Sequence, residues 1–157
     1  MTYDWRDKYD EVGYSTEGFA PVKLDGKWGF VYQQGYEVVK PKYDYVYEFF
    51  EGFAPVELDY RWGFIDKEGN EVVPLKYHEV GLEGFSDGLA RVELDLKWGF
   101  VNKRGKEVIK LKYGLVESFS EGLAAVELDY KWGFVNKRGK EYWGMDEDEA
   151  RQRMKKR

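Results

Sequence analysis

The sequence predicts an all-β protein of four tandem antiparallel meander or hairpin repeats, stacked as an open solenoid. A small closed propeller-like ring is the alternative. Three observations carry this. The phrase Trp-Gly-Phe followed by Val or Ile starts at Trp28, Trp62, Trp98 and Trp132, spaced 34, 36 and 34 residues apart. A fixed period of this length marks units that bury their apolar faces against neighbours. Apolar and polar residues alternate with period two before each phrase, which is the strand signature. Turn residues recur at fixed offsets between the runs.

The second copy shows the grammar. Tyr43-Asp44-Tyr45-Val46 is a short β-prone run, and a loop then closes on Glu51-Gly52. In Phe53–Leu58, Ala54, Val56 and Leu58 share one face, as do Ala20, Val22, Leu24 and their later counterparts. Asp59-Tyr60 then turns the chain, in register with Asp25-Gly26, Asp95-Leu96 and Asp129-Tyr130. Asp-Gly suits a type I′ turn, while Tyr60, Leu96 and Tyr130 suit it worse. Hairpins of mixed turn type are therefore expected.

The Trp-Gly-Phe strand carries no charge on either face, so a doubly covered strand is predicted, with the four indoles in the core. Its glycine is read as leaving room for a neighbouring repeat or its indole. Lys67-Glu68-Gly69-Asn70 and its counterparts read as bulged turns. A third long strand follows, and Pro41 and Pro74 break it or place it on an edge.

The repeats run over about 9–42, 43–76, 77–112 and 113–143 of a single domain, with an N-terminal cap at 1–8. Trp5 is expected to cover the first repeat. Asp146 followed by Glu149 predicts an N-capped helix in a C-terminal cap at 144–157. Units of about 35 residues are short for four-stranded blades, which favours the solenoid. The third repeat holds two extra residues within 78–87, a loop insertion.

Apolar residues make up 43% and aromatics 18% of the 157 residues, which argues against disorder. The net charge of −5, with both signs interleaved, makes nucleic acid an unlikely partner. The absence of cysteine removes disulfides and thiolate metal sites. The polar start and the lack of any long apolar window lead us to expect a cytoplasmic protein, without membrane contact and monomeric.

The run Gly-Leu-Ala-x-Val-x-Leu-Asp-x-Lys-Trp-Gly-Phe-Val-Asn-Lys-x-Gly-Lys-Glu-Val-Ile resembles the WG (KWG) β-repeat, found mostly in bacterial proteins. The resemblance covers residues 9 to 143. It implies an all-β repeat scaffold that serves binding or interaction, with no shared catalytic residues or defined ligand. The sequence departs from the pattern at Gly114, where Asp10 and Asp44 stand in other copies, and at Lys40 and Lys110.

No phosphate-binding glycine loop precedes a helix. His78 is the sole histidine, so a histidine triad or multi-histidine metal site is not expected; its counterparts Asp10, Asp44 and Gly114 suggest a solvated loop position. Asp25, Asp59, Asp95 and Asp129 could form a cation ladder, but an Asp at a turn caps its own backbone. No catalytic residue, metal or cofactor is expected. The predicted function is a non-catalytic module that binds a protein or peptide. Tyr45, Tyr47, Phe49, Tyr60 and Tyr130 are the candidate groove, joined by His78 and Glu83 of the insertion loop. Carbohydrate binding through exposed aromatics is the alternative, followed by an enzyme whose site lies near 78–87.

Overall fold

The computed structural model describes residues 3–156. Met1, Thr2 and Arg157, at the outer ends of the two expected caps, lie outside the described residues. The fold is all-β with a short C-terminal helix, and its strands form four antiparallel four-stranded sheets. The first sheet is β1 (Glu11–Val12), β2 (Phe19–Leu24), β3 (Lys27–Tyr32) and β4 (Tyr36–Tyr43). The second is β5 (Tyr45–Val46), β6 (Phe53–Leu58), β7 (Arg61–Asp66) and β8 (Glu71–Tyr77). The third is β9 (Glu79–Val80), β10 (Leu89–Leu94), β11 (Lys97–Asn102) and β12 (Glu107–Tyr113). The fourth is β13 (Leu115–Val116), β14 (Leu123–Leu128), β15 (Lys131–Asn136) and β16 (Glu141–Trp143), and α1 (Glu147–Lys155) follows. Strand order within each sheet is sequence order. A repeat this short holds four strands because the first is only two residues long.

The chain forms two compact units, Met1–Tyr77 and His78–Arg157, each holding two sheets. In the first unit Phe19, Phe30, Val39 and Tyr43 pack with Phe49, Ala54, Val56 and Ile65 of the next sheet. In the second unit Leu89, Phe100, Ile109 and Tyr113 pack with Val116, Phe119, Ala124, Val126 and Val135. One phenylalanine plugs each seam. Phe49 lies 4.5 Å from the Phe19 ring and 4.8 Å from Phe30, and Phe119 lies 4.6 Å from Phe100. Phe49 is therefore no groove residue: it is 1% exposed, because its loop folds it against Phe19 and Phe30 of the preceding sheet.

The glycine of the repeated phrase makes room for backbone of its own sheet, not for another repeat. A Cβ on Gly63 would stand 2.3 Å from the Val73 carbonyl oxygen, and one on Gly29 would stand 2.2 Å from that of Val39. The cause is a bulge. Trp62 pairs with Tyr77 but Phe64 pairs with Val73, so the outer strand carries extra residues that crowd the glycine. At Gly133, where no bulge forms, the Trp143 ring takes that space.

The indoles are less internal than expected. Trp28, Trp62 and Trp98 are half-buried and Trp132 is 51% exposed. Each shares a face with the phenylalanine two residues on, which is fully buried in the first three sheets and partly buried in the fourth, but sits nearer the hairpin tip, opposite Lys23, Glu57, Glu93 or Glu127. Side chains cover the rings there. Lys23 Nζ lies 5.7 Å from Trp28, the Arg91 guanidinium 5.5 Å from Trp98, and the Tyr47 ring 5.9 Å from Trp62.

Polar staples cross the seams inside each unit. The Tyr43 hydroxyl, at the end of β4, donates to Glu71 Oε2 of the next sheet at 2.8 Å. Tyr113 donates to Glu141 in the same way, and Lys112 Nζ stands 2.8 Å from that carboxylate. Glu17 accepts from the Glu51 and Gly52 amides, and Asp87 from the Gly122 amide. Burial, and then the facing carboxylate, push the Tyr43 and Tyr113 phenols up out of the ordinary tyrosine range. A phenol raised in the folded state contributes its full stabilisation below the unfolded value of about 10. That contribution is lost as pH rises above it. Urea midpoints should accordingly fall as pH rises above about 10, and the Tyr43→Phe/Tyr113→Phe double variant should lose less over the same interval.

The C-terminal cap forms as its sequence predicts. Asp146 Oδ1 accepts from the Glu149 amide at 2.9 Å. Ala150 joins Leu123 and Tyr142 in a small core, with Phe134 and Met154 packed against it. Arg151 donates to the Ser120 and Glu121 carbonyls and fixes the helix to the loop before β14. At the other end Trp5, Val12 and Leu24 pack against Tyr9, Ala20, Val22 and Val31. No helix among the described residues is long and apolar enough to cross a membrane.

Candidate functional site: the hairpin tips

The two-residue turns joining the second and third strands are alike in all four sheets, where mixed types were expected. Both central residues have positive φ: 52° and 80° at Asp25 and Gly26, 52° and 66° at Asp59 and Tyr60. Asp95 and Leu96 take 54° and 67°, Asp129 and Tyr130 51° and 67°. This left-handed pair matches strand twist in a tight hairpin. Side chains disfavour it by roughly 1 kcal/mol or more per residue. Asp25-Gly26 favours it by sequence; in the other three turns the sequence does not, and the six-residue pairing on both sides holds it.

A side chain 15 to 17 residues upstream caps three of the turns. Asp10 Oδ2 accepts from the Asp25 amide and Asp44 Oδ2 from the Asp59 amide, each at 2.9 Å. His78 Nδ1 accepts from the Asp95 amide at 3.2 Å. His78 is therefore the turn cap of its sheet, and its Nδ1 must be unprotonated to accept. The fourth sheet has Gly114 at this position, and there Glu127 Oε1 accepts from the Tyr130 amide at 3.1 Å. In the first unit Lys27 Nζ also meets Asp44 Oδ1 at 2.5 Å. That bond, then the Asp59 amide, holds the Asp44 carboxyl below its ordinary value.

The turns hold large apolar side chains in solvent. Tyr60 is 87%, Leu96 85% and Tyr130 97% exposed. Leu96 was not a sequence candidate, although its register with Tyr60 and Tyr130 marks it. Tyr45 lies exposed on β5 opposite Glu57, and the Tyr47 ring lies against Trp62.

Glu83 belongs to a different arrangement. Its carboxylate takes two bonds of 2.7 Å from Arg91 and one of 2.8 Å from the Ser118 hydroxyl. Arg91 also donates to the Val116 carbonyl at 3.1 Å. Burial pushes the Glu83 carboxyl up, but the Arg91 and Ser118 bonds outweigh it and hold it low. Arg91 stands where the first two repeats have Pro21 and Pro55, so the two-residue insertion supplies the counter-ion for an arginine peculiar to this sheet. Among the described residues no cluster of three or more His, Asp or Glu side chains could hold a metal ion.

Four meanders in register, each ending its central hairpin in the same left-handed tip, define a β-repeat protein. The chain belongs to the WG containing repeat family, whose model matches residues 8–28, 28–62, 62–98 and 98–132. No curated protein matches the sequence. Among solved structures, the chain is similar to Hsv2 of Kluyveromyces lactis, a β-propeller, in a form with loop 6CD replaced by a Gly-Ser linker. That match has 8% identity and a TM-score of 0.50 over 83% of this chain and 49% of the other. Hsv2 with complete loop 6CD gives 9% identity and a TM-score of 0.49 over 82% and 46%. The chain thus spans about half the length of the structures it matches, and at this identity the likeness concerns fold alone.

Proposed function

We propose that the protein is a non-catalytic interaction module that grips a protein or peptide partner with its hairpin tips. One observation carries the reading. Three successive sheets hold a large apolar side chain almost wholly in solvent on a backbone conformation that such residues avoid. Local strain at an exposed position, with no internal contact to offset it, is a mark of function. Aromatic and aliphatic anchors are what a protein interface buries. Leu96 in the set favours a polypeptide, since tips built to stack sugar rings would all be aromatic. Glu83, the carboxylate of the insertion loop that the sequence singles out, is engaged by Arg91 and Ser118.

The test is capture from a lysate of the source organism by wild type and by the Tyr60→Gly/Leu96→Gly/Tyr130→Gly variant. Glycine removes the left-handed strain, so this variant should gain about 1 kcal/mol per site in urea denaturation. It should also lose the captured partner. Undiminished capture by the more stable variant would sink the proposal.

A further inference from the structure

We propose that a cleft on the first sheet binds a neutral saccharide, at a site separate from the hairpin tips and independent of their role. The cleft measures about 440 Å³, a volume suited to a small ligand. Trp5, Tyr14, Ser15, Tyr32, Gln33 and Gln34 line it. The last five of these break the repeat pattern. Ser15 stands where the other sheets have the buried phenylalanines Phe49, Phe85 and Phe119. Tyr14 stands in place of Glu48 and Ser118. Tyr32 stands where Asp66, Asn102 and Asn136 cap the next turn through bonds to two amides each. Tyr32 makes no such bond, and the turn becomes a 3-10 segment, Gln33–Gly35, with Gln34 at φ 61°. Gln33 and Gln34 replace the charged pairs Lys67-Glu68, Lys103-Arg104 and Lys137-Arg138.

A purely protective end would close the apolar face and keep the charges, as α1 does on the fourth sheet. Here the phenylalanine is removed, the charges are removed, and aromatic rings and amides are put in their place. Trp5 is a firm wall, since it lies against Gly35 where a Cβ would stand 2.2 Å from the indole, and its ring meets Tyr9 in a T-shaped pair at 6.4 Å. Aromatic rings meet the C–H face of a sugar. The two glutamine amides offer donors and acceptors together, as vicinal hydroxyls require. The lining holds no carboxylate, and its one cation, Arg6, is already 4.6 Å over Trp5 and 3.4 Å from Asp4. An ionic ligand finds no free counter-charge there, whereas a neutral polyol needs none.

The experiment is a glycan array probed with the full chain, followed by titration of the best neutral oligosaccharide. Two variants test the cleft. Tyr14→Ala removes a side chain that is 95% exposed, and Ser15→Phe restores the phenylalanine. Each should weaken binding by about tenfold or more without lowering the unfolding midpoint, while Tyr130→Gly should leave it unchanged. The proposal is overturned if no neutral glycan binds above background. It is likewise overturned if neither variant changes binding, or if the cleft takes aromatic peptides from a parallel peptide array and no glycan.

Discussion

Gly63→Ala should destabilise the protein by about 3 kcal/mol or more, the upper range for forcing atoms into a packed interior. The added Cβ would stand 2.3 Å from the Val73 carbonyl oxygen and 2.9 Å from the Pro74 carbonyl carbon. Both neighbours are backbone, so no rotamer change relieves the clash. β7 and β8 would have to part, and the bulge that aims Phe64 and Tyr77 into the interior would go with them. Gly52→Ala is the control. Its φ is 88° and nothing lies within 4 Å of the added atom, so it carries only the left-handed penalty of about 1 kcal/mol. Urea denaturation of the two variants separates crowding from backbone preference, and equal losses would refute the intra-sheet account of the repeated glycine.

Truncating Phe119 to alanine should cost about 3–5 kcal/mol, the range for emptying an aromatic site in a core. The ring is 1% exposed and meets Phe100 edge-on at 4.6 Å, so its loss leaves a hole between the third and fourth sheets. Phe49→Ala should do the same in the first unit, where that ring touches both Phe19 and Phe30. Tyr130→Ala, at the exposed tip of the same sheet, should cost next to nothing. If Phe119→Ala were as mild as Tyr130→Ala, the seams would not be the seat of stability.

The strands were legible because period two and a recurring Trp-Gly-Phe survive in every copy. The C-terminal helix was legible from Asp146 and Glu149. What escaped the sequence was set by residues distant along the chain. The left-handed form of Asp59-Tyr60 depends on β6–β7 pairing and on an amide bond to Asp44, 15 residues upstream. The indoles looked internal because their strand is uncharged, yet the outer-strand bulge gives the deepest position to the phenylalanine two residues on. Phe49 looked like a loop aromatic. Its true role was readable from its place four residues before Phe53, a spacing that Phe85 and Phe119 keep before Leu89 and Leu123. The first-sheet cleft could be seen only once Ser15, Tyr32 and Gln33 were gathered in space.

The tyrosine staples also give the chain a direction in time. Tyr43 and Tyr113 each wait for a glutamate 28 residues further on. On the ribosome, a finished sheet thus emerges with its phenol still unmet, and its seam locks only after the following sheet's outer strand has left the exit tunnel. Nascent chains halted just short of Glu71 or Glu141 should therefore be open to protease at a seam that longer chains protect.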